Sequence, residues 1–324
     1  MLPLALADRV EILVLVDNVT DFLSSTPPQV EGELSRFWTR GARLQGPLLC
    51  CAAHGFSCAI TATSGATSRT LLFDAGPDGA VLARNVERLG FDMGSVGALF
   101  LSHGHWDHAG GMLEALELIR KANGGRAVPA DMHPGMYRSR AVRAPDGTMR
   151  LFADVPDAAM LGQHGAQVLH STDPHTVLDD LFLVSGEIPR TTPFETGLPG
   201  QFRRTEDAAG WEPDPLLMDE RFVAVRIRDK GVFVFTACSH AGVVNVLHHA
   251  RRLLPDEPVY GVMGGFHLAG THEGIVPQTV AALREFGMTL LAPAHCTGWR
   301  AVGALAATFG EAVAPAAVGK TYRL

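Results

Sequence analysis

The sequence predicts an α/β protein in which mixed β-sheets are covered by helices, and three observations carry that prediction. Short apolar runs alternate with amphipathic stretches, strands and helices occur in both halves of the chain, and Lys230-Gly231 marks a turn between two adjacent strands. No repeat of solenoid length and no low-complexity segment breaks the pattern.

The first strand comes from Val10-Glu11-Ile12-Leu13-Val14-Leu15-Val16, an apolar run interrupted only by Glu11 and far too short to span a bilayer. Its centre, 12–16, reads as a buried strand, and 70–73, 98–101, 182–184, 222–227, 232–236, 259–262 and 290–292 read likewise. Helical periodicity predicts helices over 111–122, 243–254, 277–286 and 301–309, the second with Val243, Leu247, Ala250 and Leu254 on one face. Asn123-Gly124 closes the first of them as a C-cap. Segments 138–180 and 191–220, rich in Pro, Gly and charge, read as irregular covers of an active site.

At 324 residues and 47% apolar composition, the chain can bury a sizeable core, and one domain over 1–324 is expected. A net charge of −7, with Lys and Arg scattered, argues against nucleic acid as a partner. Met1-Leu2-Pro3-Leu4 lacks the basic start of a secretory signal, so a cytoplasmic protein with no membrane association is expected. Five cysteines, an odd number without zinc-finger or disulfide-scaffold spacing, read as reduced thiols. The expected partner is a small-molecule substrate, and nothing in the sequence specifies an oligomer.

Chemistry concentrates in Leu101-Ser102-His103-Gly104-His105-Trp106-Asp107-His108-Ala109-Gly110-Gly111, between a strand and a helix. In an extended segment His103 and His105 point the same way, while Asp107 and His108 project at another angle as the helix begins. The four can hold two neighbouring ions, with Zn²⁺ the expected metal and Mn²⁺ or Fe as alternatives. Gly104, Gly110 and Gly111 let the backbone bend and approach closely.

His103-x-His105-x-Asp107-His108 after a strand resembles the signature of the metallo-β-lactamase superfamily, and Leu71-Leu72-Phe73-Asp74-Ala75-Gly76 resembles that family's strand ending in Asp and Gly. Val184 to Arg190, Thr236-Ala237-Cys238-Ser239-His240-Ala241-Gly242, Gly264-Gly265-Phe266-His267-Leu268 and Ala294-His295-Cys296-Thr297-Gly298 follow in the order of one branch. That branch is named for the ribofuranosylaminobenzene 5′-phosphate synthase of dihydropterin-type cofactor biosynthesis; Asp17-Asn18 and His54-Gly55 fit it too, so the likeness spans nearly the whole chain. The resemblance implies an αββα sandwich of two mixed sheets flanked by helices, with a metal site at one edge between the halves.

It also implies that Asp74 braces the histidine loop from behind and that His295 is the final ligand. The family usually has another histidine near Glu187 and a bridging aspartate near Cys238, and this sequence departs at both positions. Cys238 can coordinate as a thiolate, His240 can swing in instead, and Glu187 can supply an oxygen; His240 is the better bet because neutral imidazole coordinates readily. His54 is read as supporting the ligands. His267 is read as substrate-facing or proton-handling, with Asp107 as the second catalytic group. Arg190 and Arg300 flank motifs and could bind an anion.

A site of this kind lowers the pKa of a bound water and polarises an acyl or phosphoryl oxygen, so the expected activity is hydrolysis of an ester or phosphoester-type bond by metal-bound hydroxide. The alternatives are the branch's synthase-like transfer, an iron-containing redox protein, and a non-catalytic small-molecule sensor.

Overall fold

Alternation along each strand decides the layering. Between Arg9 and Val16, Ile12 and Val14 turn to one buried face and Leu13 and Leu15 to the other; Leu71/Phe73 and Leu72 divide in the same way. A strand buried on both sides must be covered on both, and this is what the computed structural model of the protein shows over its described residues, 3–39, 41 and 43–324.

Two sheets stack face to face. One runs Ala166–His170, Val128–Met132, Val96–Phe100, Thr67–Phe73, Ser57–Ser64, Arg9–Val16, Thr321–Arg323, Val30–Glu31. The other runs His175–Val177, Phe182–Val184, Val223–Ile227, Gly231–Phe235, Val259–Gly265, Leu290–Ala294, with Leu6–Ala7 beside Val223–Ile227. Both are mixed: strands from Thr67–Phe73 to Ala166–His170 are parallel, as are those from Gly231–Phe235 to Leu290–Ala294, while the remaining pairs of the two main paths are antiparallel.

Phe73, Phe100, Phe182, Phe233 and Phe235 fill the space between the sheets. Helices Gly79–Leu89 and Met112–Ala122 cover the outer face of the first sheet; Val243–Leu253, Val276–Leu283 and Trp299–Phe309 cover that of the second. The architecture is the expected αββα sandwich of two mixed sheets.

The predicted strands all occur, with ends displaced by a few residues, and the predicted helices match Met112–Ala122, Val243–Leu253, Val276–Leu283 and Trp299–Phe309. Three elements carried too weak a pattern. Ser57–Ser64 is a strand of small residues, Val128–Met132 holds a proline and an aspartate, and helix Gly79–Leu89 starts at an Asp78 cap and stops at a left-handed Gly90.

The stretches read as irregular are built. Arg140–Arg143, Met149–Leu151, Gln201–Arg204 and Trp211–Pro213 form a small antiparallel sheet, and Ala166–His170 and His175–Val177 join the two main sheets as edges. Pairing from a distance, which local composition does not report, orders them.

The parallel strands of both sheets point their C-terminal ends at one rim, and the candidate residues gather there: Asp74, the 102–108 loop, Cys238, His240, His267 and His295. Gly110 and Gly111 hold this loop against the preceding strand end, since a Cβ on them would stand 2.0 Å from Pro77 O and 2.2 Å from Ala75 O. Gly111→Ala is therefore expected to cost about 1–3 kcal/mol, through forced displacement of packed backbone, read as a lower urea midpoint.

Candidate metal centre

Hydrogen bonds from behind aim His103, His108 and His295, and the backbone of His240 is pinned in the same way. Asp74, fully buried, accepts from the Ser102 backbone N–H and hydroxyl at 2.8 Å each, and from His108 Nδ1 at 2.7 Å. Because the Ser102 proton goes to the carboxylate, the Ser102 oxygen accepts from His103 Nδ1 at 2.9 Å. His103 Nε2 is left with a lone pair, facing inward.

That nitrogen is 3.1 Å from His105 Nδ1 and 3.2 Å from His240 Nε2. Ligands at the usual zinc–nitrogen distance of roughly 2.05 Å stand about 3.3 Å apart around a tetrahedral ion, so His103 already has that spacing from both partners, and ring nitrogens of all three lie within 4.8 Å of one another. His240 reaches this position because Glu220, fully buried, accepts the backbone N–H groups of His240 and Ala241 at 2.7 Å each.

A second cluster adjoins the first. His295 donates Nδ1–H to Asn18 Oδ1 at 2.9 Å, and its backbone N–H donates to Asp17 at 2.7 Å. Its Nε2, buried with no aligned hydrogen-bond partner, therefore turns a lone pair toward Asp107 Oδ2 at 3.3 Å. His54 Nε2 is 3.5 Å and His108 Nε2 is 3.8 Å from the same oxygen, and Cys238 Sγ is 3.2 Å from His108 Nε2. Electron-rich atoms facing one another across a dry site need a cation between them, and this arrangement fits divalent metal at both clusters.

Charge states agree. Burial holds His103 and His240 well below the ordinary imidazole value and brings His105 to about 3 and His295 to about 4, so these rings are neutral at neutral pH, the state in which imidazole coordinates a metal. Burial pushes the Asp107 carboxyl up, yet the neighbouring His108 imidazole, itself held charged by two carboxylates, outweighs it and keeps the group ionised. Burial likewise lowers His108, but Asp107 and Asp74 raise it further, so a cation at Nε2 competes with a proton there.

The centre is strained as well as ordered. Asp74, Ser239, His267 and His295 all have φ between 45° and 56°, a region that costs a side-chain-bearing residue about 1–3 kcal/mol. All four sit at or just beyond a strand end of the rim, where surrounding packing imposes the conformation.

Above both clusters lies an open cleft of about 370 Å³. Trp106, Phe152 and Leu198 give it apolar walls, and Gln201 and His267 add polar groups. His267 packs on His240 with ring centroids 4.6 Å apart, and burial together with His272 brings it down to about 4.

Three candidates lie elsewhere. Glu187 is exposed and pairs with His133 at 3.1 Å, outside every ligand cluster of the described residues. Arg190 donates to the backbone carbonyls of Ile188 and Leu216, tying two loops together, and does not line the cleft. Arg300 is exposed, stacks on Trp299 and pairs with Glu273 at 3.3 Å. These corrections share a cause: adjacency to a motif says nothing about which way a long side chain turns. Conversely, Ser102, Glu220, Phe152, Leu198 and Gln201 carried no signal in the sequence, and Asn18 only the dipeptide Asp17-Asn18.

A four-layer αββα sandwich with this histidine–aspartate rim is a metallo-β-lactamase fold, and residues 64–202 match the family model described as "Metallo-beta-lactamase superfamily". The chain thus has the metallo-β-lactamase fold, and its residues 64–202 are similar to that superfamily. Among curated relatives, it is 24% identical over 261 residues to the 7,8-dihydropterin-6-methyl-4-(beta-D-ribofuranosyl)-aminobenzene-5'-phosphate synthase of Methanocaldococcus jannaschii, covering 80% of this chain and 85% of the relative. It is 28% identical over 257 residues to an uncharacterized protein of the same organism, covering 78% and 86%. Among solved structures, a metal-dependent hydrolase of the beta-lactamase superfamily superposes with a TM-score of 0.68 at 22% identity, over 97% of this chain and 98% of the other. The metallo-beta-lactamase fold protein YhfI from Bacillus subtilis superposes with a TM-score of 0.51 at 13% identity, over 98% and 100%. No helix among the described residues is long and apolar enough to cross a membrane.

Proposed function

We propose that the protein is a metal-dependent hydrolase of an ester or phosphoester-type bond in a small molecule, with zinc the best-suited metal. The observation that carries this reading is the pair of adjoining clusters, His103/His105/His240 and Asp107/His108/His295, of which His105, His240, Asp107 and His295 line one open cleft. Divalent ions bound there supply Lewis acidity, which lowers the pKa of water and polarises an acyl or phosphoryl oxygen.

The chain's own groups do the rest. Asp107, kept ionised, offers Oδ2 as the acceptor that orients an attacking water, and His54, whose exposed ring stands 3.5 Å away, turns its Nε2–H toward the same carboxylate. His54 is held for this by Asn18, whose amide lies 3.2 Å from His54 Nδ1. His267 offers the substrate a neutral imidazole. Trp106, Phe152 and Leu198 exclude water from one side of the bound molecule.

A synthase-like transfer is the second reading, favoured by the named Methanocaldococcus jannaschii relative. Joining an aminobenzoate to a phosphoribosyl group with loss of pyrophosphate calls for side chains that bind several anionic groups. Among the described residues no lysine or arginine lines the cleft, which supports the hydrolase over the transferase. Exhaustive chelation is expected to abolish turnover of simple aryl esters or phosphodiesters, with recovery on adding one divalent metal. Full activity after verified metal removal overturns the hydrolase reading.

A further inference from the structure

We propose that the ion beside Asp107 is held through two sulfurs, the thiolates of Cys238 and Cys296 with the imidazole of His295, making this a position for a thiophilic divalent ion such as zinc, cobalt or cadmium. The inference rests on reading the cleft as a metal centre and adds the ligand class of its second position.

The two cysteines come from strands that are not neighbours. Cys238 follows Gly231–Phe235 and Cys296 follows Leu290–Ala294, with Val259–Gly265 between them. Side chains beyond strands two places apart start roughly 10 Å from each other. They meet because the intervening strand ends in Gly265, where a Cβ would stand 2.5 Å from Cys296 Sγ and 3.4 Å from Cys238 Cα. The missing side chain is the room in which the thiols converge.

Once there, both sulfurs and a ring nitrogen of His295 lie within 4.8 Å of one another. Two sulfurs on one tetrahedral zinc stand about 3.8 Å apart, so small rotations close the set. Cys238 Sγ is also 3.2 Å from His108 Nε2, and Cys296 Sγ is 3.6 Å from Cys238 O. Both cysteines line the cleft beside His295, so an ion can reach them.

The ordinary account of a free cysteine, a small apolar residue in a core, suits Cys58, which lies fully buried in Ser57–Ser64 among aliphatic and aromatic neighbours. It does not suit two thiols turned toward each other and toward imidazoles. Thiolate and imidazole together favour zinc over manganese or magnesium, which prefer oxygen.

The test loads the metal-free, reduced full-length protein with cobalt and records the near-ultraviolet sulfur-to-cobalt charge-transfer band, with metal per chain measured in parallel. The unmutated protein is expected to show the band; Cys296→Ser should reduce it to roughly half, the double serine variant should lack it, and Cys50→Ser should leave it unchanged. X-ray absorption of the unmutated zinc protein should show zinc–sulfur scattering at about 2.3 Å, independent of how any variant folds. Metal bound without a sulfur signal overturns this inference and leaves the metal centre standing. A band lost with Cys238→Ser but intact in Cys296→Ser overturns the two-sulfur set. Absence of any bound metal overturns both readings.

Discussion

Replacing His240 with alanine is expected to remove one metal equivalent per chain and to lower kcat/KM by more than about 100-fold, while Glu187→Ala leaves both unchanged. Substituting a group that merely orients a ligand costs 10–100-fold in metal affinity or activity, so loss of a ligand itself exceeds that range. His240 Nε2 lies 3.2 Å from His103 Nε2, on a loop pinned by the Glu220 carboxylate, whereas Glu187 is committed to His133 in an exposed position. Metal content and ester turnover, measured on both variants, decide it. Metal retained by His240→Ala and lost by Glu187→Ala would show that an oxygen completes the site.

The largest stability effect is expected at Arg221, which is fully buried between the sheets. Its Nη1 donates to Asp131 Oδ1 at 2.7 Å, its Nη2 donates to the carbonyls of Leu101 and Asp131 at 3.2 Å each, and the guanidinium packs on the Phe100 ring at 4.9 Å. The residue also donates its backbone N–H to Ser102 O at 2.8 Å, so it ties the second sheet to the loop that carries His103. Arg221→Leu leaves Asp131 buried with the partly exposed His175 as its side-chain partner among the described residues, at 2.6 Å. An uncompensated buried charge costs about 3–5 kcal/mol, expected as a matching fall in the unfolding free energy measured in urea. A loss below about 1 kcal/mol would mean that His175 alone satisfies the carboxylate.

Both effects separate what local pattern encodes from what it cannot. His103, His105, Asp107 and His108 were legible because four donors fall within six positions on one strand-to-helix loop, so their convergence is a local property. His295 was legible only through family resemblance, since a lone histidine after a strand has no pattern of its own. His240 and Cys238 stood as alternatives in the sequence; in three dimensions they serve different clusters, His240 with His103 and His105, Cys238 with His108 and Cys296. Arg190 and Arg300 looked like anion-binding groups beside motifs, and the folded chain turns both away from the cleft.

By itself the sequence determined the layered α/β architecture and the first half of the metal motif. Each depends on periodicity over a few residues: apolar alternation for doubly covered strands, and fixed angles between side chains on one short loop. Only the tertiary structure decided which distant residues close the two clusters, which hydrogen bonds set the imidazole tautomers, and that residues 140–151 and 201–213 pair into a sheet walling the cleft. Those outcomes depend on strand ends from both sheets arriving at one rim and on Gly265 leaving space there, contacts between residues as far as 278 positions apart that no local window contains.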